Sequence, residues 1–381
     1  MQNLTLAVLF GFIFLSTITN CSSDNSKNDA TERLFYLDEE MRTGKADGEL
    51  EYLLGNIRDI EIGKDDVMFV SDNQAPVLRM YDKYGVFIKN SGREGRGPGE
   101  YLYFGGMGMF PDGRLAVWDQ RNRRVNIYNK TGEFLKSTLF GGGIFTDEVF
   151  KVGNEGNFYF LGWFGNTERS KQRRKYWLKV SEEGEVMDTL AFPKPMNTNE
   201  LSFVIFTSIG NTFPFIEEQI TALSVEGYLI TGLNSDYNLK FLYSDTPKEN
   251  ITRANETVSI PSEERSQWRK FKQRFPISTV TIPDEKPVYK EIFTDADSRI
   301  WVWRYTEAWE TDKVSANIAV ENGWWEQPTF DVFLENGEFY GIVEFPWNTK
   351  FMEAKGDKVW TLQTGEKGEQ YIVRYKLVPK D

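Results

Sequence analysis

The chain has 381 residues, with 57 aspartates and glutamates against 45 lysines and arginines, and its net charge is −12. This acidic balance argues against a protein that binds duplex nucleic acid, because such a protein needs a basic face to displace counterions. The chain contains no histidine, which excludes catalysis by a histidine base and any metal site with a histidine ligand. We predict no cofactor and no metal site. An enzyme built on this chain would have to use carboxylates, tyrosine, lysine or arginine.

The amino terminus has the pattern of an export signal. Leu4 to Ile18 is an uncharged, mostly apolar run, shorter than the about 20 residues of a membrane-spanning helix, and Cys21, the one cysteine, follows it closely. This resembles a bacterial lipoprotein signal, in which residues 1–20 are removed, Cys21 carries the lipid and residues 21–32 form a polar tether. Asn20 is larger than the usual residue before the cut, and no Lys or Arg precedes the apolar run. A plain secretory peptide or an uncleaved anchor therefore stays open as the alternative.

Residues 33–381 follow a pattern of short β-strands with a recurring turn signal. A turn followed by a strand-like run occurs six times, with the equivalent turn positions at Asp66, Gly113, Gly156, Gly227, Ser298 and Asp357. A second turn recurs in four outer hairpins, where a positive φ is required of Gly85, Gly132, Gly184 and Gly337. Units of about 45 residues are typical of propeller blades. We predict an all-β, single-domain, six-bladed β-propeller of four-stranded antiparallel blades; five or seven blades stay open because units three to five are irregular.

Two further elements complete the predicted fold. The last unit supplies three strands, and residues 33–40 are predicted to be its fourth, which would close the ring and remove an edge strand. "SEERSQWRKFKQRF", Ser262 to Phe275, is a helix bounded by two prolines, and its Trp268, Phe271 and Phe275 share one stripe. We predict that this short helix is inserted between blades four and five and packs against the propeller. A helix that lies on a membrane surface is the alternative.

The glycine-rich stretch "SGREGRGPGEY", Ser91 to Tyr101, has the composition of a phosphate-binding loop but not its spacing. Glu100 occupies the third glycine position of a dinucleotide loop, and the Gly-Lys-Ser/Thr of a P-loop is absent. We interpret the stretch as the crossing from the outermost strand of blade one to the innermost strand of blade two.

These features together resemble the six-bladed, NHL-like or TolB-like β-propeller lipoproteins of gut Bacteroidota. The resemblance rests on Cys21, "SGREGRGPGEY", "EKPVYKEIFTDADSRIWVW" (285–303) and "QYIVRYKLV" (370–378). It implies the propeller fold, secretion across the inner membrane and a lipid anchor in the cell envelope, at the outer membrane. It implies no particular reaction, because many such propellers have none assigned.

In a propeller, the loops between second and third strands lie on the same face as the crossings between blades. We call this the insertion-rich face, and it would collect residues 91–101, 119–125, 163–177 and 304–330. Arginines on an acidic protein can attract and orient an anionic ligand. Those predicted to bind a ligand here are Arg93, Arg96, Arg121, Arg123, Arg124, Arg169, Arg173 and Arg174. The alternative is that they are solvated charges paired with neighbouring acids such as Glu100.

The longest insertion also carries Trp309, Trp324 and Trp325. Exposed tryptophans indicate a binding surface, and sugar rings stack on them, so we predict that these three contribute to ligand binding. The alternative is that their rings pin the insertion onto the propeller.

We predict that the protein is a monomeric, lipid-anchored module that binds an extracellular glycan or a partner protein of the envelope. The arginines favour an anionic glycan. The alternative is a histidine-free enzyme that uses carboxylates or a metal, such as a lactonase or a polysaccharide lyase. Asp72, Asp119, Asn234 and Asp236 are candidates for such a site, although Asp and Asn also end strands for ordinary turn reasons. Several acidic or amide side chains that converge in the central channel would favour the enzyme.

The predicted anchor can be tested at Cys21. Cys21→Ser should abolish metabolic labelling with a fatty acid and move the protein from the membrane fraction to the soluble fraction, because stable anchoring depends on the acyl chains that the thiol would receive. Ser22→Ala is the matched control and should retain both properties. A Cys21→Ser protein that still carries labelled lipid would contradict the assignment.

Overall fold

The repeating unit of the structure is a four-stranded antiparallel sheet whose first strand lies nearest the centre of a ring and whose fourth lies at the rim. The computed structural model describes residues 34–141, 144–164, 176–192, 215–272, 282–310, 324–366 and 368–380. Six such sheets follow one another along the chain, two of them joined at the rim. The prediction of an all-β, six-bladed propeller is confirmed.

The first strand of the chain, β1 (Leu34–Thr43), belongs to the last blade. Blade one contains β2 (Ile57–Ile62), β3 (Met68–Asp72), β4 (Val77–Tyr81) and β5 (Phe87–Ser91). The crossing to blade two carries a short parallel ladder of β6 (Arg93–Glu94) and β7 (Glu100–Tyr101). Blade two contains β8 (Phe104–Met109), β9 (Leu115–Asp119), β10 (Arg124–Tyr128) and β11 (Phe134–Leu139). Blade three contains β12 (Ile144–Val152), β13 (Phe158–Phe164), β14 (Tyr176–Val180) and β15 (Val186–Ala191).

The second half of the ring carries the larger insertions. Blade four contains β16 (Gln219–Leu223), β17 (Leu229–Leu233), β18 (Asn238–Leu242) and β19 (Ile251–Thr252). The crossing to blade five contains β20 (Val258–Ser259), helix α1 (Ser262–Lys272) and β21 (Glu285–Lys286). Blade five is built from β22 (Tyr289–Thr294), β23 (Ile300–Arg304), β26 (Thr329–Phe333) and β27 (Phe339–Glu344), with an inserted hairpin of β24 (Ala308–Glu310) and β25 (Trp324–Glu326). Blade six contains β28 (Thr349–Lys355), β29 (Lys358–Thr364), β30 (Gln370–Pro379) and β1. Short 3-10 turns occur at Leu50–Tyr52 and Lys64–Asp66.

The recurring turn positions have the backbone conformation that the repeat predicts. The first five turn residues of the repeat and all four outer-hairpin glycines have positive φ. In the sixth unit the positive φ falls on Gly356 and not on Asp357, because the β28–β29 turn is tighter and joins Lys355 directly opposite Lys358. The predicted turn position, Asp357, is therefore one residue too late in this blade.

Large aromatic residues fill the spaces between neighbouring blades. Trp118 of blade two lies with its ring centroid 4.8 Å from that of Phe160 of blade three, and Trp301 of blade five lies 4.9 Å from Phe351 of blade six. Trp118, Trp301 and Trp360 are at most 2% exposed. These tryptophans are core residues, and burial of large aromatic surfaces between blades stabilises the ring.

The ring is closed by strands from the two ends of the domain. β1 pairs antiparallel with β30 from Phe35↔Pro379 to Thr43↔Ile372, so the predicted fourth strand of blade six is present. The start of β1 also pairs in parallel with β27 through Leu34 and Phe35. Blades five and six therefore form one continuous eight-stranded sheet.

The helix lies between blades four and five, as predicted. The Trp268 ring is 6.2 Å from Phe215, which directly precedes blade four, and Glu264 of the same helix is only 3% exposed. These contacts favour packing against the propeller. The described part of the helix ends at Lys272, and the Phe275 predicted for its stripe lies outside the described residues. Among the described residues, no helix is long and apolar enough to cross a bilayer.

Ring closure gives a prediction about stability. Phe35 is 3% exposed and stacks on Tyr340 with ring centroids 4.9 Å apart, so Phe35→Ala should lower the free energy of unfolding by about 3 kcal/mol.

Deletion of residues 33–40 should lower the free energy of unfolding further and cause aggregation, because the edge of β30 becomes free to pair with other chains.

Deletion of residues 22–30 is the control, and it should leave the thermal midpoint and the solubility unchanged. Equal thermal midpoints for both deletions and the full chain would contradict the closure by β1.

Candidate functional site

The crossing from blade one to blade two forms a narrow loop on the insertion-rich face. Gly92 and Gly99 both have positive φ, and a Cβ on Gly92 would lie 2.5 Å from the carbonyl oxygen of Gly99. The loop is closed by the parallel ladder in which Arg93 faces Glu100. The glycines thus allow the chain to reverse and approach itself closely, and the loop is a crossing between blades, as predicted.

Side chains of blade two fix the backbone conformation of this loop by hydrogen bonds. Asn122 donates its side-chain N–H to the carbonyl oxygen of Gly95 at 3.0 Å. Arg124 donates through Nη1 to the carbonyl oxygen of Arg96 at 3.0 Å and through Nη2 to that of Glu100 at 2.7 Å. The backbone carbonyl groups of the loop therefore point towards blade two.

Arg124 has a different role from the one predicted for it. The sequence groups it with the exposed arginines, whereas the structure leaves it 5% exposed, with Nη2 3.9 Å from the carboxylate of Asp119. Its position on β10 turns its side chain under the crossing loop, so that the guanidinium binds protein backbone and does not reach solvent. We therefore remove Arg124 from the ligand-binding set.

The other arginines predicted to bind a ligand in residues 91–101 and 119–125 are accessible to solvent to different degrees. The Arg93 side chain is 83% exposed and its Nε donates to Glu100 at 2.8 Å. Arg96 and Arg121 are exposed, and the Arg121 guanidinium lies 5.2 Å from the centre of the Tyr103 ring. Arg123 is partly buried, and it donates to the carbonyl oxygen of Gly141 at 2.9 Å. The three most accessible charges are thus Arg93, Arg96 and Arg121.

The carboxylate nearest to these arginines is itself bound to the loop. The backbone N–H of Gly97 donates to Glu100 at 2.7 Å. This bond and the Arg93 guanidinium lower the pKa of Glu100. The pairing predicted as the alternative therefore exists for Arg93. The predicted residues Arg169, Arg173 and Arg174, and the lipidation residue Cys21, lie outside the described residues.

The three predicted tryptophans of the inserted hairpin differ in accessibility. Trp325 is 5% exposed and packs edge-on against Trp347, with centroids 5.2 Å apart, which fits the pinning alternative. Trp324 is partly buried. Trp309, the cross-strand partner of Trp325, is 42% exposed and is the one member of the three that offers a large free surface.

A buried ion network fixes the hairpin and the helix to blade five. Lys286 is fully buried, and its Nζ lies 2.8 Å from Glu326 on the hairpin and 3.5 Å from Glu264 on the helix. Lys290 binds the other carboxylate oxygen of Glu326 at 2.9 Å and lies 4.8 Å from the centre of the Trp303 ring. Burial lowers the pKa of Lys290. Burial alone would raise the pKa of Glu326, but the two lysines together lower it.

Sequence reasoning missed this network. Its lysines stand in the segment "EKPVYKE", while Glu264 and Glu326 lie far away along the chain. The signal that could have found it is the alternation of lysine with apolar residues at the start of an innermost strand. Such lysines must either reach solvent or find an acid.

Polar side chains of the innermost strands connect neighbouring blades around the central channel. Each bonds the backbone of a neighbouring blade: Asp59 accepts from the N–H of Met107 at 2.8 Å, Glu353 accepts from the N–H of Ala296 at 3.1 Å, and Lys151 donates to the carbonyl of Leu223 at 3.3 Å. Arg58 and Lys355 likewise donate to the carbonyl oxygens of Gly105 and Gly63. We call this set the channel belt, and its bonds hold the blades in the ring.

The channel belt contains strongly perturbed acids. Its side chains are only partly buried. Burial raises the pKa of Asp59 and, with the charge of Asp295, raises that of Glu353 to about 8. Burial also raises the pKa of Glu61, on the same strand as Asp59, well above the ordinary range. Burial lowers the pKa of Lys151. Asp59 and Glu353 also accept backbone N–H groups of neighbouring blades, which gives these two acids a structural role in the ring.

The acids considered for an enzymatic site also have structural partners. Asp72 forms a buried ion pair with Arg79 at 2.7 Å, and the side-chain oxygen of Asn234 accepts from the N–H of Glu218 at 2.9 Å. Asp119 accepts from the backbone at Leu102 and from Asn122. Within the described ranges there is no group of three or more Cys, Asp or Glu that could hold a metal ion.

Glu353 gives a prediction about pH. Because its pKa is higher in the folded protein than the usual 4.5 or so, the proton on Glu353 stabilises the fold fully at low pH, and this contribution is lost as pH rises towards 8. Glu353→Gln keeps the acceptor oxygen and removes the titration. The thermal midpoint of the variant relative to wild type should therefore rise between pH 5 and pH 8.5.

Glu249→Gln, at an exposed position, serves as the control and should follow the wild-type pH profile. Parallel pH profiles for wild type and Glu353→Gln would contradict the assignment of a raised pKa.

Comparison with known proteins places the fold in a family. The family model described as "6-bladed beta-propeller", DUF5128, matches residues 49–259. Among solved structures, a predicted exported protein of Bacteroides fragilis is 13% identical, with 91% of this chain and 99% of that chain covered and a TM-score of 0.50. A DUF4221 family member of Bacteroides vulgatus is 12% identical, with 91% and 98% covered and a TM-score of 0.54. No curated protein matches the chain. The family model spans more than half of the chain, and the chain therefore belongs to the DUF5128 family of six-bladed β-propellers.

Proposed function

We propose that this protein is a ligand-binding module of the bacterial cell envelope whose insertion-rich face binds an anionic extracellular glycan. The observation that carries the proposal is the loop cluster of Arg93, Arg96 and Arg121. These charges are accessible on a loop whose backbone is held by Asn122 and Arg124, in a protein with a net charge of −12.

A rigid loop supports binding because it lowers the entropy that is lost when a ligand is held. Arginine supplies planar pairs of donors that match carboxylate and sulfate groups. The surrounding negative charge would repel an anion from the rest of the surface and leave this patch as its point of approach. A partner protein with an acidic patch would meet the same donors, and the experiment below separates it from a glycan.

Location in the envelope is part of the same proposal. It is supported by the apolar run that precedes Cys21 and by the Bacteroides fragilis relative, which is described as exported. With the lipid at Cys21, the chain would enter the propeller at the start of β1. Fourth strands of a blade start on the face opposite to the insertion-rich face, so the arginines would be presented at the far side from this attachment point.

The proposal predicts a loss of glycan affinity in the triple variant Arg93→Ala, Arg96→Ala, Arg121→Ala. An array of sulfated, carboxylated and neutral glycans should first identify an anionic ligand, and calorimetry should then show that the triple variant binds it more than tenfold more weakly. Tenfold corresponds to about 1.4 kcal/mol shared among three charge-assisted contacts. Wild-type affinity should fall as salt rises, because exposed charges are screened.

The matched control removes the same charge from the opposite face through Lys64→Ala, Lys83→Ala and Lys130→Ala, and it should bind as wild type does. Loss of affinity in both triple variants would indicate a general effect of net charge. The proposal is overturned if the wild-type protein binds no anionic glycan on the array. It is also overturned if the triple arginine variant binds with wild-type affinity.

A further inference from the structure

The glycine-rich crossing loop already binds a carboxylate, and that carboxylate is its own Glu100 side chain. Glu100 accepts from the backbone N–H of Gly97 at 2.7 Å through Oε2 and from Nε of Arg93 at 2.8 Å through Oε1. The parallel ladder places Arg93 directly opposite Glu100, so the guanidinium and the backbone N–H meet at the same carboxylate. A backbone N–H and an arginine are the contacts that proteins give to a bound oxyanion.

The glycines of the loop leave room for this carboxylate. A Cβ on Gly95 would overlap Oε2 of Glu100, and a Cβ on Gly97 would lie 3.0 Å from the same oxygen. Backbone that carries no side chain can approach an anion closely, which is the property that glycine gives to phosphate-binding loops. The composition of the loop therefore fits an anion site, although its spacing differs from that of the nucleotide loops.

The backbone of the loop is held independently of the Glu100 side chain. Asn122 and Arg124 of blade two bind carbonyl oxygens of the loop, including the carbonyl oxygen of Glu100 itself. These bonds use main-chain oxygens, which stay in place when the carboxylate moves away. The N–H of Gly97 would therefore keep its position, and the site would be preformed for another oxyanion.

A ligand can reach this site from solvent. The side chain of Glu100 is 21% exposed, and that of Arg93 is 83% exposed. The Glu100 side chain can rotate outwards about its single bonds while its backbone stays in the ladder. Arg96 and Arg121 are exposed on the same loop cluster and would hold further anionic groups of the ligand. A ligand that places an oxyanion at Gly97 must displace the carboxylate, so its apparent affinity is reduced by the fraction of time for which Glu100 occupies the site.

We propose that the N–H of Gly97 and the guanidinium of Arg93 form an oxyanion subsite, and that Glu100 occupies it until a carboxylate or sulfate group of the ligand displaces it. This inference rests on the proposed function and deepens it, because it names the chemical group that binds at this point of the loop and the residue that competes with it. Displacement exchanges one anion for another, and the released carboxylate turns to water. Glu100 therefore restricts the site to ligands whose anionic groups compete successfully with a carboxylate attached to the loop.

The test is calorimetry of the full-length protein with the anionic glycan that the array identifies. Glu100→Ala removes the competing carboxylate and should tighten binding at least fivefold. Glu100→Gln keeps an oxygen that can accept from Gly97, and its affinity should lie between those of Glu100→Ala and wild type. Glu94→Ala removes the same charge from an exposed position of the same loop and should change the affinity less than twofold, because exposed charges are screened. The thermal midpoint of each variant shows that it is folded.

The proposal is overturned if Glu100→Ala binds the glycan with wild-type or lower affinity, because Glu100 would then only clamp the loop. It is also overturned if Glu94→Ala tightens binding as much as Glu100→Ala does, which would indicate a general effect of charge. In both cases the proposed function stands, since the wild-type protein still binds the glycan.

A second measurement tests the subsite if the wild-type protein binds no anionic glycan, a result that overturns the proposed function alone. Inorganic sulfate is then the probe, and NMR follows the amide resonance of Gly97 in protein with isotope-labelled glycine, assigned through Gly97→Ala. Sulfate should shift this resonance in Glu100→Ala at concentrations that leave it unchanged in wild type. A resonance that sulfate does not shift in Glu100→Ala would overturn the subsite.

Discussion

The ring of blades is closed by the pairing of β1, the first strand of the domain, with β30, the last strand. Every other blade is continuous in the chain and could form locally. Blade six requires residues that are separated by the whole domain, from Phe35↔Pro379 to Thr43↔Ile372. Such a contact carries a loop-closure cost, which the fit between the other blades offsets by bringing the two ends of the domain together.

The fit between blades has an apolar and a polar part. Aromatic side chains such as Trp118 and Trp301 fill the wide spaces between the sheets, while the channel belt bonds neighbouring innermost strands where the blades converge. The two parts differ in what they specify. Apolar packing tolerates small shifts, whereas a bond such as that from Asp59 to the N–H of Met107 at 2.8 Å fixes the level of one blade relative to the next.

The blade count could be predicted because it depends on local signals, and the closing strand could be predicted because the last unit supplies only three strands of its own. A turn that needs positive φ marks each blade, and the position of Gly113 or Gly156 follows from the chain alone. The role of Arg124 could not be predicted in this way, because its partners are carbonyl groups of a loop in another blade. The bonds of the channel belt could not be predicted for the same reason, because their partners are backbone groups of a neighbouring blade.

The closing strand also determines how the domain would respond to mechanical load. A pull transmitted through the residues before Leu34 reaches the propeller at the start of β1, and resistance from a ligand on the insertion-rich face would act along the direction of that strand. Because the bonds of an antiparallel ladder run perpendicular to the strands, such a pull shears the eight residue pairs between β1 and β30 together and does not unzip them one at a time. The geometry that completes the fold is therefore also the geometry in which the closing strand resists force best.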